Sequence, residues 1–174
     1  MLPPVDLAIL SIPAAYCPAA MEILARDKET RAFIVISAGF SEMGQEGKDL
    51  EKRMAAIADS VDGTLIGPNC IGIMNGFHTS VFTTPIPKFW PRGCDFISGS
   101  GATAVFIMES GIPKGLRFSS VWSVGNSAQT GVEEVIAWVE THQWHSYMHN
   151  QMQFADATGD AVIISAGADG EIVF

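Results

Sequence analysis

The sequence contains few basic residues and no long apolar run. Lys and Arg number 10 against 19 Asp and Glu, which gives a formal net charge of −9. Because an acidic chain gains no counterion-release affinity for nucleic acid and no attraction to anionic membrane surfaces, the composition predicts neither partner. The apolar runs are too short to span a membrane. Residues 1–6 contain no basic side chain, so they do not resemble a secretory signal.

Cysteine is also scarce. Cys17, Cys70 and Cys94 are odd in number and widely spaced, and no two form a C-x-x-C pair. This usage is typical of reduced thiols and predicts a cytoplasmic protein without a disulfide framework.

Apolar material is abundant in the 174 residues, at 48% hydrophobic against 17% charged. Short runs rich in Val, Ile and Leu alternate with segments of helical periodicity, which predicts an α/β fold with parallel sheets. The predicted strands are 5–13, 32–39, 63–75 with a break at Gly67-Pro68, 94–98, 119–125 and 160–167. The predicted helices are 19–29, 46–61, 102–110 and 131–140.

A proline-rich stretch near residue 90 interrupts this alternation. Residues 76–92 have no helical period and contain several aromatic residues, so they predict a crossing segment or linker. We therefore predict two α/β domains, at 1–90 and 91–174, with residues 141–174 atypical of the second.

Small and polar residues cluster at the ends or the break of four predicted strands, at 37–39, 67–70, 98–101 and 125–127. Ligands of open α/β sheets collect at the carboxyl ends of strands, so these segments are the candidate binding residues.

The segment Ser98–Ala102 allows several interpretations. Backbone N–H groups at a helix start, with two hydroxyl groups, could hold a phosphate, or Ser100 could simply cap the helix at a tight turn. No Gly-Lys-Ser/Thr follows, which excludes a Walker motif. The pattern is one residue short of G-x-S-x-G, and a serine nucleophile would also need a histidine and an acid.

Other candidates have equally simple structural explanations. Cys70 could be a nucleophile, or a small buried thiol beside an Asn69 that positions a ligand. Gly125 and Asn126 suit a turn. His142, His145 and His149 have spacing that could make a metal-binding helix face, but no carboxylate or cysteine completes it, so no metal is predicted.

Four motifs in order, SAGFSEMGQEG, LIGPNCIGIMN, FISGSGA and SVGNSAQTGVEEVIAW, resemble the α-type part of the NDP-forming acyl-CoA synthetases, the superfamily of succinyl-CoA synthetase and ADP-forming acetyl-CoA synthetase. The resemblance covers residues 5–140. It implies part of a Rossmann-like CoA-binding domain followed by part of a flavodoxin-like domain. It also implies a reaction that makes acyl-CoA, NDP and phosphate from acid, CoA and NTP through an acyl phosphate and a phosphohistidine.

The resemblance assigns two sets of binding residues. The set implied for CoA is Ile36, Ser37, Ala38, Gly39, Pro68, Asn69 and Cys70. The set implied for phosphate or acyl phosphate is Ser98, Gly99, Ser100, Gly101, Ala102, Gly125 and Asn126.

The sequence departs from the family at both ends. The Gly-rich loop that grips the nucleotide part of CoA has no counterpart, and none of the four histidines, His78 included, has the family's phosphohistidine context, so no catalytic residue is assigned. The resemblance implies CoA as cofactor, Mg-NTP only in the complete enzyme, a β-type ATP-grasp partner and a homo-oligomer as an option. Two rival functions stay open: a non-catalytic CoA or acyl-CoA-binding module, and a serine or cysteine hydrolase using Ser100 or Cys70.

Overall fold

The computed structural model describes residues 3–141 and 151–153, and these divide into two compact units. The N-terminal unit contains the residues up to Cys70 together with Gly125–Gly131. The C-terminal unit contains Ile71–Val124 and the described residues from Val132 onward. The domain boundary that the sequence predicts between residues 90 and 91 stays a prediction.

The N-terminal unit is a parallel sheet with helical crossovers. Its strands are β1 (Leu7–Leu10), β2 (Ala32–Val35) and β3 (Thr64–Ile66), in the spatial order β1-β2-β3. The crossovers contain helices α1 (Cys17–Lys28) and α2 (Gln45–Ser60). Strand-to-helix alternation thus builds the βαβ topology that the sequence predicts.

Side-chain alternation along these strands builds the core of the N-terminal unit. Leu10, Phe33 and Leu65 pack with Met21 of α1 and Met54 of α2. The α2 residues that are buried, Gly47, Glu51, Met54 and Ala58, recur at helical spacing on one face. Position 47 requires glycine, because the Cβ of any other residue would lie 1.7 Å from the Phe40 carbonyl oxygen.

The C-terminal unit contains a mixed sheet. Its strands are β4 (Ile73–Met74), β5 (Phe89–Ser98), β6 (Phe118–Ser123) and β7 (Gln151–Gln153), in the order β4-β6-β5-β7. β5 is parallel to β6 and β7, whereas β4 is antiparallel to β6. Helices α3 (Gly101–Gly111) and α4 (Val132–Thr141) complete the unit.

The two helices cover opposite faces of β6, because neighbouring strand residues point to opposite sides. Val121 belongs to the core that includes Ala104 and Met108 of α3. Trp122, the next residue, packs on Trp138 of α4, with the two rings tilted by 60° and their centroids 5.7 Å apart.

The structure refines several predicted elements. The stretch 63–75 forms two strands, β3 and β4, and the interruption begins at the predicted break and extends over residues 67–72. β5 begins at Phe89, inside the predicted linker, and a register irregularity between Phe89 and Cys94 accommodates Pro91, which cannot donate to a ladder. The predicted strand at 160–167 and the histidines 142, 145 and 149 lie outside the described residues.

Candidate functional site

The start of α3 is organised by two serine hydroxyl groups. Ser98, fully buried at the end of β5, donates through Oγ to the Ser100 carbonyl oxygen at 2.9 Å and accepts from the Ser100 N–H at 3.1 Å. Ser100 is the N-cap, and its Oγ accepts the Thr103 N–H at 3.2 Å. Both hydroxyl groups therefore shape the turn.

Backbone N–H groups remain at this helix start. Within the described part of the chain, the N–H groups of Gly99, Gly101 and Ala102 have no intramolecular acceptor. Gly101 must be glycine, since a Cβ would lie 2.8 Å from Cγ2 of Ile71. Together with the helix dipole, these donors suit an anion.

The predicted CoA residues after β2 and β3 lie together in the N-terminal unit. The Asn69 N–H donates to the Ser37 carbonyl oxygen at 2.9 Å, so the loop after β3 lies against the loop after β2. The Ile36 N–H donates to the Leu10 carbonyl oxygen at 2.9 Å, and Ser37 Oγ donates to the Ile12 carbonyl oxygen at 2.5 Å. Ala38 is exposed.

The G-P-N-C turn has little steric freedom. Gly67 has φ +97, and a Cβ would lie 2.4 Å from the Val35 carbonyl oxygen. Asn69 follows with φ 57, a conformation that asparagine tolerates. Cys70 is buried and its Sγ donates to the Val35 carbonyl oxygen at 3.3 Å. The thiol is thus a packed part of the turn.

Asn126 lies in the N-terminal unit with Asn69. Its N–H donates to the Pro68 carbonyl oxygen at 2.8 Å, and its Oδ1 accepts from Asn69 Nδ2 at 3.2 Å. Its own Nδ2 lies 2.6 Å from Glu42 Oε2 and 2.7 Å from Glu51 Oε1. The donors of Asn126 are therefore engaged within the protein, and its predicted phosphate contact stays a prediction.

Sequence reasoning missed Glu42 and Glu51. Glu42 Oε1 accepts the Gly39 N–H at 2.5 Å, and Glu51, a buried residue of α2, accepts the Ser41 N–H at 3.1 Å. Burial opposes ionisation of Glu42, but hydrogen bonds from the Gly39 N–H, its own N–H and the Asn126 amide outweigh it and lower the pKa. No local sequence signal marks these residues, which lie 84 and 75 positions from Asn126.

His78 is the histidine of the sequence that lies within the described ranges. The N–H of His78 donates to Asn75 Oδ1 at 3.0 Å, and its buried Nε2 has no hydrogen-bond partner among the residues that the structure describes. Among the residues described, no three His, Cys, Asp or Glu side chains are grouped to hold a metal ion. No helix of the described ranges is long and apolar enough to cross a membrane.

The parallel sheets and their strand-end loops define an α/β protein, and comparison with known proteins assigns it to the succinyl-CoA ligase class. A family model described as succinyl-CoA ligase like flavodoxin domain matches residues 91–148. The α subunit of an ADP-forming acetate–CoA ligase II from Pyrococcus furiosus is 35% identical over 139 residues, which is 80% of this chain and 30% of the relative.

Two further similarities agree. An ADP-forming acetate–CoA ligase I from Archaeoglobus fulgidus is 39% identical over 127 residues, 71% of this chain and 18% of the relative. A crystal structure of a protein from Pyrococcus horikoshii has a TM-score of 0.70 at 30% identity, covering 86% of this chain and 33% of that one.

The chain belongs to the family of NDP-forming acyl-CoA synthetases and spans less than a third of the length of these two curated relatives. This confirms the resemblance drawn from the four motifs. It also confirms the predicted fold class, with a flavodoxin-like second part.

Proposed function

We propose that this chain is the part of an NDP-forming acyl-CoA synthetase that binds CoA and a phosphate or acyl phosphate. The intact enzyme would convert acid, CoA and NTP to acyl-CoA, NDP and phosphate. The observation that carries the proposal is the set of backbone N–H groups of Gly99, Gly101 and Ala102, which have no acceptor within the described residues.

The phosphate would lie at the start of α3. The residues proposed there are Ser98 to Ala102. The phosphate contacts that the resemblance implies for Gly125 and Asn126, which belong to the N-terminal unit, stay a separate prediction. Backbone donors at a helix start are fixed before the ligand arrives, so they stabilise phosphoryl charge without reorganisation. The serine hydroxyl groups contribute by holding the turn, since both are hydrogen-bonded within it.

CoA would lie along the loops that follow β2 and β3. The residues proposed for it are Ile36 to Gly39 and Pro68 to Cys70. Their mutual hydrogen bond, from the Asn69 N–H to the Ser37 carbonyl oxygen, supports a common surface. Mg-NTP, the carboxylic acid and a β-type ATP-grasp subunit or domain would join only in the complete enzyme, which we place in the cytoplasm.

The two rival functions, a serine or cysteine hydrolase and a non-catalytic CoA-binding module, make different demands on these residues. For a hydrolase, Ser100 Oγ would have to leave its cap position on Thr103, and the Cys70 thiol would have to leave the Val35 carbonyl oxygen. A non-catalytic CoA-binding module would use the same loops as the synthetase, but it would not bind phosphate at α3.

Calorimetric titration of the chain with inorganic phosphate tests the proposal. Ala102 is exposed in the first turn of α3, so Ala102→Asp places a carboxylate beside the proposed ligand while favouring the helix dipole. We expect phosphate binding to be lost in Ala102→Asp and retained in the isosteric, uncharged Ala102→Asn. Equal binding by the two variants, or none by the wild type, would contradict the phosphate site.

A second measurement addresses the rival module. The purified chain mixed with acetate, ATP and CoA should form no acyl-CoA, because it contains no matched phosphohistidine. Binding of CoA without phosphate would favour the non-catalytic module instead.

A further inference from the structure

Exposed apolar side chains are concentrated in one segment of the C-terminal unit. Of the 12 large hydrophobic side chains that are exposed in the described part of the chain, five belong to residues 77–90. They are Phe77, Phe82, Ile86, Phe89 and Trp90, with exposed fractions between 38% and 73%. Apolar side chains gathered at a protein surface in this way mark an interaction site.

Two contacts and a strand pairing join this segment to the start of β6. The guanidinium carbon of Arg117 lies 4.4 Å from the centroid of the Trp90 ring, which is a cation–π distance. A Cβ on Gly76 would lie 3.2 Å from Cζ of Phe89, so the backbone at Gly76 lies against the Phe89 ring. Phe89 is paired in turn with Phe118, the residue after Arg117. We call the exposed side chains Phe77, Phe89, Trp90, Arg92 and Arg117 the Trp90 surface.

The basic residues of the C-terminal unit are found beside these aromatic rings. Its four Lys and Arg residues are Lys88, Arg92, Lys114 and Arg117. The first two flank Trp90 in the chain, and the other two precede β6. Within the described ranges none of the four forms an ion pair with an acid of this chain. Aromatic and Arg side chains are enriched in protein interfaces, and cations at the rim select an acidic partner.

Helix α4 of the same unit has the opposite charge. Its ten residues include three Glu and no basic residue. Glu133, Ala137 and Glu140 are exposed at positions i, i+4 and i+7, so they share one face of the helix. Ala137, between the two acids, is small enough for an aromatic ring to approach. This face is complementary in charge to the Trp90 surface.

We propose that the Trp90 surface binds the face of α4 that contains Glu133 and Glu140 in a second copy of this chain. Because both surfaces belong to one unit, a two-fold symmetric dimer makes the contact twice. The three prolines within residues 85–91 fix backbone angles of the segment, so little conformational entropy is lost on binding. The inference goes beyond the proposed function, since no residue proposed for CoA or phosphate takes part in the contact.

Sedimentation equilibrium of the purified chain tests this inference. We expect a monomer–dimer equilibrium in the wild type. Arg92→Glu presents an acid to the acidic face of α4, and Glu140→Lys presents a base to the basic Trp90 surface. Because the two-fold dimer contains each substitution twice, each should raise the dimer dissociation constant at least about tenfold. Glu140→Lys suits the last turn of α4, where a cation favours the helix dipole, and circular dichroism checks that both variants fold.

Mixing the two variants distinguishes a complementary contact from a general effect of charge. In a mixed dimer the acid introduced at position 92 faces the base introduced at position 140, and the unchanged Arg92 faces the unchanged Glu140. Association of the mixture should therefore return close to the wild-type value. Lys48→Glu is the matched control, because it makes the same change of net charge as Arg92→Glu at an exposed position of α2, and it should leave the dissociation constant unchanged.

Several results would overturn the inference. They are a wild type that stays monomeric up to about 0.1 mM, a dimer as stable in Arg92→Glu as in the wild type, and a mixture that associates no better than either variant alone. A monomeric wild type that binds polyglutamate, with binding lost in Arg92→Glu, would refute the second copy and assign the surface to another acidic partner. Each of these outcomes leaves phosphate binding at α3 to its own test.

Discussion

Gly125 lies against the carbonyl oxygen of Pro68 so closely that a Cβ on Gly125 would be 2.1 Å from that oxygen. Gly125 also has φ +57. The contact continues at the next residue, whose N–H donates to the same oxygen at 2.8 Å. The segment after β6 is therefore fastened to the G-P-N-C turn through backbone, and glycine is the residue that permits it.

Gly125→Ala should destabilise the protein strongly. The added methyl group meets backbone and not a flexible side chain, so the segment after β6 must shift, and we expect the free energy of unfolding to fall by about 3 kcal/mol. Urea denaturation followed by circular dichroism measures this change.

Gly115→Ala is the matched control. Gly115 has φ +95, but no atom of the described ranges lies within 4 Å of the position that an added methyl carbon would take. It isolates the conformational cost of an L-residue at positive φ, about 1 kcal/mol. Equal losses in the two variants would show that the Pro68 contact does not matter.

Ser100→Ala should remove the N-cap of α3. The Thr103 N–H loses its acceptor, so we expect a loss of about 1 kcal/mol in the free energy of unfolding. Ser100→Asp keeps an acceptor at the same position and should lie close to wild type. Thermal denaturation of the three proteins checks this, and an Asp variant as unstable as the Ala variant would contradict the capping role.

Cys94 should make the protein less stable at alkaline pH. Burial, with the nearby charge of Asp95 as a lesser cause, raises the pKa of this thiol from 9.0 to about 12. Its stabilising contribution is complete below pH 9.0, where the unfolded thiol is also protonated. Above that pH the unfolded thiol ionises first, so the free energy of unfolding should fall by up to about 1.4 kcal/mol per pH unit.

Urea denaturation of wild type and Cys94→Ala across this range measures the effect. The variant is expected to be less stable near neutrality because of the cavity it leaves, and its loss of stability above pH 9.0 should be shallower than that of wild type. Parallel pH profiles would refute the burial of a protonated thiol.

Local patterns predict the helices and strands well. The sequence predicts helix α3 at 102–110 and the structure has it at Gly101–Gly111, because its N-cap serine and apolar run are contiguous in sequence. The start of β5 is missed because Pro91 is typical of a loop, and only the irregular pairing with β6 accommodates it in a strand.

The network around Asn126 could not be predicted in the same way. The contacts of Asn126 with Glu51 and Asn69 join residues 75 and 57 positions apart, and no local periodicity encodes such a pairing. The G-P-N-C and G-N motifs identified two of the participants through resemblance. The carboxylates of Glu42 and Glu51 accept from Asn126 because the fold brings the loop after β2 and helix α2 beside it. Their part in the network therefore requires the structure.

The most direct test of the proposed function is a nitrogen-15 NMR titration of the chain with inorganic phosphate. We predict saturable shifts concentrated on the backbone amides of Gly99, Gly101 and Ala102, and their loss in Ala102→Asp. Shifts that are small, unsaturable and spread over the chain, or that are unchanged in Ala102→Asp, would contradict a phosphate site at the start of α3.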